Sequence, residues 1–163
     1  MSLVQKLGPH LPYLRRYARA LTGTQKSGDS YVKAALQALA AGTHELDDLP
    51  PRVALYRLFQ AIWGATGAKL DTAPETGDTV SDRVLRIPPR HRQAFLLTAL
   101  EGFTVDECGQ ILGESTENVR ALISRAQSDI EADLATEVLI IEDEPVIAAD
   151  IEQLVVDLGH KVT

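Results

Sequence analysis

From about residue 11 to residue 134, apolar side chains recur three and four positions apart and the runs are cut at short intervals by glycine or proline. That pattern restricts the chain to a packing of short amphipathic helices, with no credible strand before Val138. The first run covers residues 11–21, with Leu14, Tyr17, Ala18 and Leu21 on one face, Arg15 and Arg19 on the other, and Gly23 as its stop. A second spans residues 29–40 and brings Val32, Leu36 and Leu39 to one side before Gly42 closes it. Pro50 and Pro51 set the start of a third, which carries Val53, Leu55, Leu58, Phe59, Ile62 and Trp63 and reaches about residue 70. These three helices make one unit over residues 1–70. Residues 71–81, DTAPETGDTVS, hold no large apolar side chain except Val80 and read as a linker.

A second helical unit, residues 82–135, starts its patterning at Ile87-Pro88-Pro89 and carries Phe95, Leu96, Leu97 and Leu100 before Gly102. Thr104 and Glu107 have the spacing of a capping box, in which each side chain satisfies the other's backbone N–H. The helix they begin passes through Cys108, Ile111 and Leu112 and stops at Gly113. Ser115 or Thr116 caps the next helix, with Glu117 in its first turn, where the helix dipole favours an acid. Val119, Leu122, Ile123, Ala126 and Ile130 give that helix a continuous apolar stripe. A short helix, a tight turn and a longer helix is the order of a helix-turn-helix, although a plain bundle of glycine-terminated helices has the same pattern.

Residues 137–145, EVLIIEDEP, break the helical period. Residues 138–141 read as a strand, and Glu142 and Asp143 stand at its carboxyl end, where open α/β sheets gather their chemistry. Hard carboxylate oxygens there suit a magnesium ion that also takes phosphate oxygens. Pro145 then opens a helix through Ile147, Ile151, Leu154, Val155 and Leu158, and Gly159 ends it. One strand and one helix bury too little surface to fold independently, so residues 136–163 are a remnant of a longer domain or dock on something else.

At 163 residues and 45% hydrophobic, the chain holds one or two small globular domains. No apolar run approaches the ~20 residues of a membrane span, and the N-terminus lacks a signal-peptide core, so a cytoplasmic protein without membrane attachment is expected. The single cysteine, Cys108, excludes an internal disulfide, offers no zinc spacing, and reads as a core thiol. Net charge, −7 in all, divides as +5 over residues 1–70, −6 over 71–135 and −6 over 136–163. Affinity for nucleic acid rests mainly on neutralising phosphates, so the acidic middle segment is a poor duplex binder, and a basic protein surface suits it better. His10, His44, His91 and His160 are scattered, no nucleophile context or phosphate loop is visible, and no enzyme is expected.

Within this frame the sequence IPPRHRQAFLLTALEGFTVDECGQILGESTENVRALISRAQSDI, residues 87–130, resembles region 4 of an extracytoplasmic-function sigma factor. LPYLRRYARALTG at 11–23, followed by the helix at 51–70, resembles region 2 in a degenerate form, and EVLIIEDEP resembles the start of a two-component receiver domain. Two sigma-like regions, a linker and a receiver form the arrangement of PhyR-type response regulators of the alphaproteobacterial general stress response. The resemblance implies a mainly α fold: two small helical sigma-like units plus the first strand and helix of a truncated α/β receiver.

The family resemblance also implies an anti-anti-sigma factor that mimics a sigma factor and captures a NepR-type anti-sigma factor once a sensor histidine kinase has driven receiver phosphorylation. Glu142 and Asp143 would hold Mg2+ only in a complete receiver, because the phosphate-accepting aspartate is not in this sequence; no cofactor is expected for the fragment. The rival reading is a DNA-binding sigma factor or helix-turn-helix regulator, which places its second helix in the major groove. Here residues 115–130 offer only Arg120 and Arg125 against Glu117 and Asp129, which disfavours DNA. Tyr56, Phe59 and Trp63 could stack promoter bases but are expected in the core, and Arg15, Arg16 and Arg19 read as a solvated face or a contact for an acidic partner. Candidate anti-sigma contacts are Leu14, Leu36 and Phe59 in the first unit and Leu97, Leu122 and Ile123 in the second, residues that must also supply each unit's core.

Overall fold

A computed structural model describes residues 3–44, 46, 48–66 and 80–163. The chain is mainly α. In order it forms α1 (Leu3–Leu7), a 3-10 turn (Gly8–His10), α2 (Leu11–Thr22), α3 (Gln25–Ala40), α4 (Pro51–Thr66), α5 (Val80–Arg86) and α6 (Pro89–Phe95), which continues as a π-helical turn (Leu96–Leu100). There follow α7 (Val105–Leu112), α8 (Thr116–Leu134), β1 (Glu137–Val138), α9 (Pro145–Asp157) and β2 (Lys161–Val162). Two compact units result, Met1–Ala126 and Gln127–Thr163.

Local chemistry sets most of the helix ends. Gly23 takes a left-handed φ of 85° and its N–H donates to Arg19 O, which closes α2. The next helix begins at Gln25, four positions before the start that apolar spacing predicts, because Thr24 caps it: its hydroxyl accepts the Ser27 N–H at 3.1 Å. Gly28 sits inside α3 where a Cβ would lie 2.7 Å from Arg19 N, so the missing side chain permits the close approach of α2 and α3. Both halves of the Thr104–Glu107 capping box are formed, and Gly113 ends α7 at a left-handed φ of 68°. Of the two candidate caps for α8, Ser115 serves, its Oγ accepting the Asn118 N–H, while the Thr116 hydroxyl donates to Asp106.

One helix departs from expectation. Residues 80 and 81 belong to α5 rather than to the linker, and the second helical stretch starts there instead of at residue 87. Seven residues are too few to show a period, and α5 is held by its neighbours: Leu85 occupies the space above Gly23, and its carbonyl accepts from Arg92 Nη1 at 2.8 Å. The remainder of the expected linker, 71–79, and the expected end of the third helix, 67–70, lie outside the described residues.

A continuous core fills Met1–Ala126. Leu14, Tyr17 and Leu21 of α2 and Val53, Leu55, Tyr56, Phe59 and Trp63 of α4 belong to the same buried cluster as Leu97, Phe103, Cys108, Ile111 and Val119. Side chains from both sigma-like stretches therefore share one interior. Tyr17, Tyr56, Phe59 and Phe103 make its aromatic centre, with edge or tilted ring pairs at centroid separations from 4.9 to 5.9 Å.

In Gln127–Thr163, β1 pairs in parallel with β2, Glu137 opposite Lys161 and Val138 opposite Val162, and α9 makes the crossover. The strand is shorter than the predicted 138–141, since a ladder extends only as far as its neighbour and β2 offers two residues. Leu139 and Ile141 are consequently exposed, as are Val146, Ile147, Ile151, Leu154, Val156 and Leu158. This unit has the strand-helix-strand order of a receiver's beginning without a core of its own.

Candidate partner-binding surface

The surface is organised by one buried carboxylate. Glu101 follows the π-helical turn, where its N–H donates to Leu96 O at 3.1 Å, and its side chain is fully buried. Arg16 of α2 donates to Oε1 at 3.0 Å, the Tyr56 hydroxyl of α4 donates to Oε2 at 2.9 Å, and Arg52 lies 3.6 Å from Oε2. Arg16 also donates to Leu100 O at 3.1 Å, while the Arg52 guanidinium stands 4.0 Å from the Phe103 ring centroid. A buried carboxylate needs partners of this kind, and here an acid of the second sigma-like stretch draws all of them from the first. Sequence reasoning missed Glu101, because a lone acid before a glycine looks like any solvated turn.

Two arginines of the basic cluster are paired within the fold. Arg15 makes a two-pronged pair with Asp29 at 2.8 and 2.7 Å, which holds the Asp29 carboxyl below its usual range, and Arg16 is committed to Glu101.

Three of the six candidate contacts lie in the core. Leu14, Phe59 and Leu97 are fully buried, so they hold the core and present nothing to a partner. Periodicity placed them on the right faces, and those faces are covered by other helices of the same unit. Leu36, Leu122 and Ile123 are half-buried and keep open surface. Leu36 shares a groove with Val32, Lys33 and Gln37, and Leu122 shares another with Arg90, Asn118 and Arg125.

Tyr56, Phe59 and Trp63 are all buried, so the helix that resembles region 2 has no aromatic face on which bases could stack. In the helix-turn-helix, α8 exposes Arg120 and Arg125 alongside Glu117. Cys108 is buried, and burial pushes its thiol up to about 12.

In the segment between β1 and α9, Glu142 and Asp143 are exposed, and Glu142 Oε1 accepts the Glu144 N–H at 3.0 Å. Their oxygen chemistry suits magnesium, and no third acid, histidine or cysteine joins them in a cluster among the described residues. No described helix is long and apolar enough to cross a membrane.

Comparison with known proteins matches residues 7–60 to the Sigma2 domain of PhyR and residues 85–133 to the sigma-like domain of response regulator PhyR. The chain is 45% identical over 99% of its length to the phyllosphere-induced regulator PhyR of Methylorubrum extorquens, and it spans 61% of that relative's length. It superposes with a TM-score of 0.81 and 42% identity on the anti-anti-sigma factor PhyR of Bartonella quintana complexed with the anti-sigma factor NepR, covering 99% of this chain and 62% of that one. The PhyRSL–NepR complex of Sphingomonas sp. Fr1 gives a TM-score of 0.66 at 42% identity, over 81% of this chain and 88% of that one.

Proposed function

This chain belongs to the PhyR family of response regulators, and from that membership we propose that its helical body is a sigma-factor mimic that captures a NepR-type anti-sigma factor. The observation that carries the proposal is the inward placement of Tyr56, Phe59 and Trp63. A sigma factor that opens promoter DNA needs aromatic groups at its surface to hold the separated strand, and a decoy needs only the outline. The acidic balance of the helix-turn-helix agrees: a protein partner tolerates it, whereas a phosphate backbone does not.

Capture works by partner switching. The half-buried Leu36, Leu122 and Ile123 offer apolar edges for an amphipathic segment, the usual way a helix is held in a groove. In the whole protein, a sensor histidine kinase would charge the receiver and shift the population toward a state in which that surface is free. Glu142 and Asp143 would hold magnesium in the completed receiver, where the ion neutralises phosphate charge. The protein is regulatory, without catalysis of its own, and works in the cytoplasm.

Displacement tests the proposal: adding this chain to a preformed complex of sigma and NepR-type anti-sigma factor releases the sigma factor, and the chain leaves stress-promoter DNA unshifted at physiological salt. A promoter shift that Arg120→Ala abolishes would favour the DNA-binding reading instead.

A further inference from the structure

Of the three arginines clustered on α2, Arg19 is exposed and joins no ion pair among the described residues, whereas Arg15 and Arg16 are each paired with an acid. Arg19 lines a groove of about 400 Å3 bounded by α2, α5 and the π-helical turn, all within Met1–Ala126. Arg16 and Ala20 line it too, because positions three and four apart share one helix face. Val84 of α5 and Leu96 and Leu100 of the π-helical turn give the groove most of its apolar lining. Ala20, Val84 and Leu100 are half-buried and keep open surface, while Leu96 is buried.

The groove is held in shape by the fold itself. In the π-helical turn, a form that is rare and recurs at functional sites, the Glu101 N–H reaches back to Leu96 O, and Arg16 donates to Leu100 O at 3.1 Å. A surface fixed in advance loses little freedom when it is covered. Its charge is one-sided: Arg16 is answered by Glu101, Arg19 is not answered, and among the described residues no acid lines the groove.

An occupant must therefore bring an apolar face and a carboxylate. A basic segment would meet like charge at Arg16 and Arg19. A nucleic-acid strand would find a single free cation beside an apolar wall, too little to neutralise its phosphates.

We propose that this groove receives an amphipathic helix of the anti-sigma factor, which sets an aspartate or glutamate against Arg19 and its apolar face on Ala20, Val84 and Leu100. This rests on the capture function proposed above and adds a charge requirement to the apolar edges at Leu36, Leu122 and Ile123. A guanidinium takes a carboxylate through two parallel hydrogen bonds, so the pair fixes the register of the helix as well as attracting it.

The test uses the full chain, labelled at its alanine, valine and leucine methyl groups and saturated with its cognate NepR-type anti-sigma factor. The methyl groups of Ala20, Val84 and Leu100 show intermolecular NOEs to apolar side chains of the partner. Arg19→Glu, a change at an exposed side chain without an ion pair, keeps the fold by circular dichroism. It weakens capture about tenfold, chiefly through slower association, and reduces the salt dependence of that rate. One acid-to-lysine change in the partner restores binding to Arg19→Glu. A saturated complex without those NOEs, or with Arg19→Glu binding as tightly as the parent, would overturn the groove assignment while leaving capture intact. Failure to form any complex would instead remove the capture function and the groove with it. A stress-promoter fragment shifted by the parent and not by Arg19→Glu would give the groove to nucleic acid and overturn its assignment to the anti-sigma helix.

Discussion

The Tyr56 hydroxyl donates to Glu101 Oε2 at 2.9 Å, joining α4 to the turn from which the helix-turn-helix departs. Glu101 is therefore the place where two stretches that look like separate sigma regions become one body. Its carboxylate is buried and answered from two sides, by Tyr56 and Arg52 of α4 and by Arg16 of α2.

Tyr56→Phe leaves the ring packing intact and removes one donor from a buried charge. The expected cost is about 1.5–3 kcal/mol in urea unfolding, the range for hydrogen bonds to charged groups. A double-mutant cycle with Arg16→Ala should show coupling, because both residues serve the same carboxylate. A cost within about 0.5 kcal/mol of zero would place the two stretches in contact without this clamp.

Two glycines of the long helices should respond with opposite signs. Gly28→Ala would put a methyl carbon 2.7 Å from Arg19 N and 2.8 Å from Ala18 C, backbone atoms that cannot move aside, so a loss of about 1–3 kcal/mol is expected. Gly64→Ala in α4 meets no atom within 4 Å and should gain about 0.5–1 kcal/mol from helix propensity. Thermal unfolding of the two variants beside the parent checks both.

Cys108 supplies a pH test. Its folded thiol titrates near 12 against an ordinary value of 9.0, so the folded state holds the proton more tightly. The resulting contribution to stability is fully present below pH 9 and is lost as pH rises toward 12. At pH 8 the native thiol should react with a disulfide reagent only at the rate of opening, and at once in strong denaturant. Rapid stoichiometric labelling of native protein would contradict the buried placement.

Core and surface leucines should separate cleanly. Leu14→Ala should cost about 2–5 kcal/mol of stability, as for other fully buried leucines. Leu36→Asp and Leu122→Asp should keep the fold by circular dichroism yet weaken anti-sigma capture by about tenfold each, since each replaces an apolar edge with a charge at the contact. Unchanged affinity in both would move the contact surface elsewhere.

The features legible in the sequence were those decided within a few residues. The Thr104–Glu107 box, the stops at Gly23 and Gly113, and the order of strand, acids and helix from Glu137 to Asp157 each follow from adjacent chemistry. Burial at long range was not legible. Leu14 and Leu36 both sit on apolar faces, but only the packing of the other helices covers one and leaves the other half open. Glu101 looked like a turn acid because its three partners lie 45 to 85 positions away in sequence. For the same reason α5 was hidden: seven residues have no period, and its support comes from Gly23 and Arg92.

On the function proposed, the recognition surface for a NepR-type anti-sigma factor lies within the helical body. Calorimetric titration of this chain with its cognate anti-sigma factor, with no phosphate donor present, is the decisive measurement. Tight binding at one-to-one stoichiometry is the predicted result, retained by a version ending at Ala135. Absence of binding by both versions would contradict the claim.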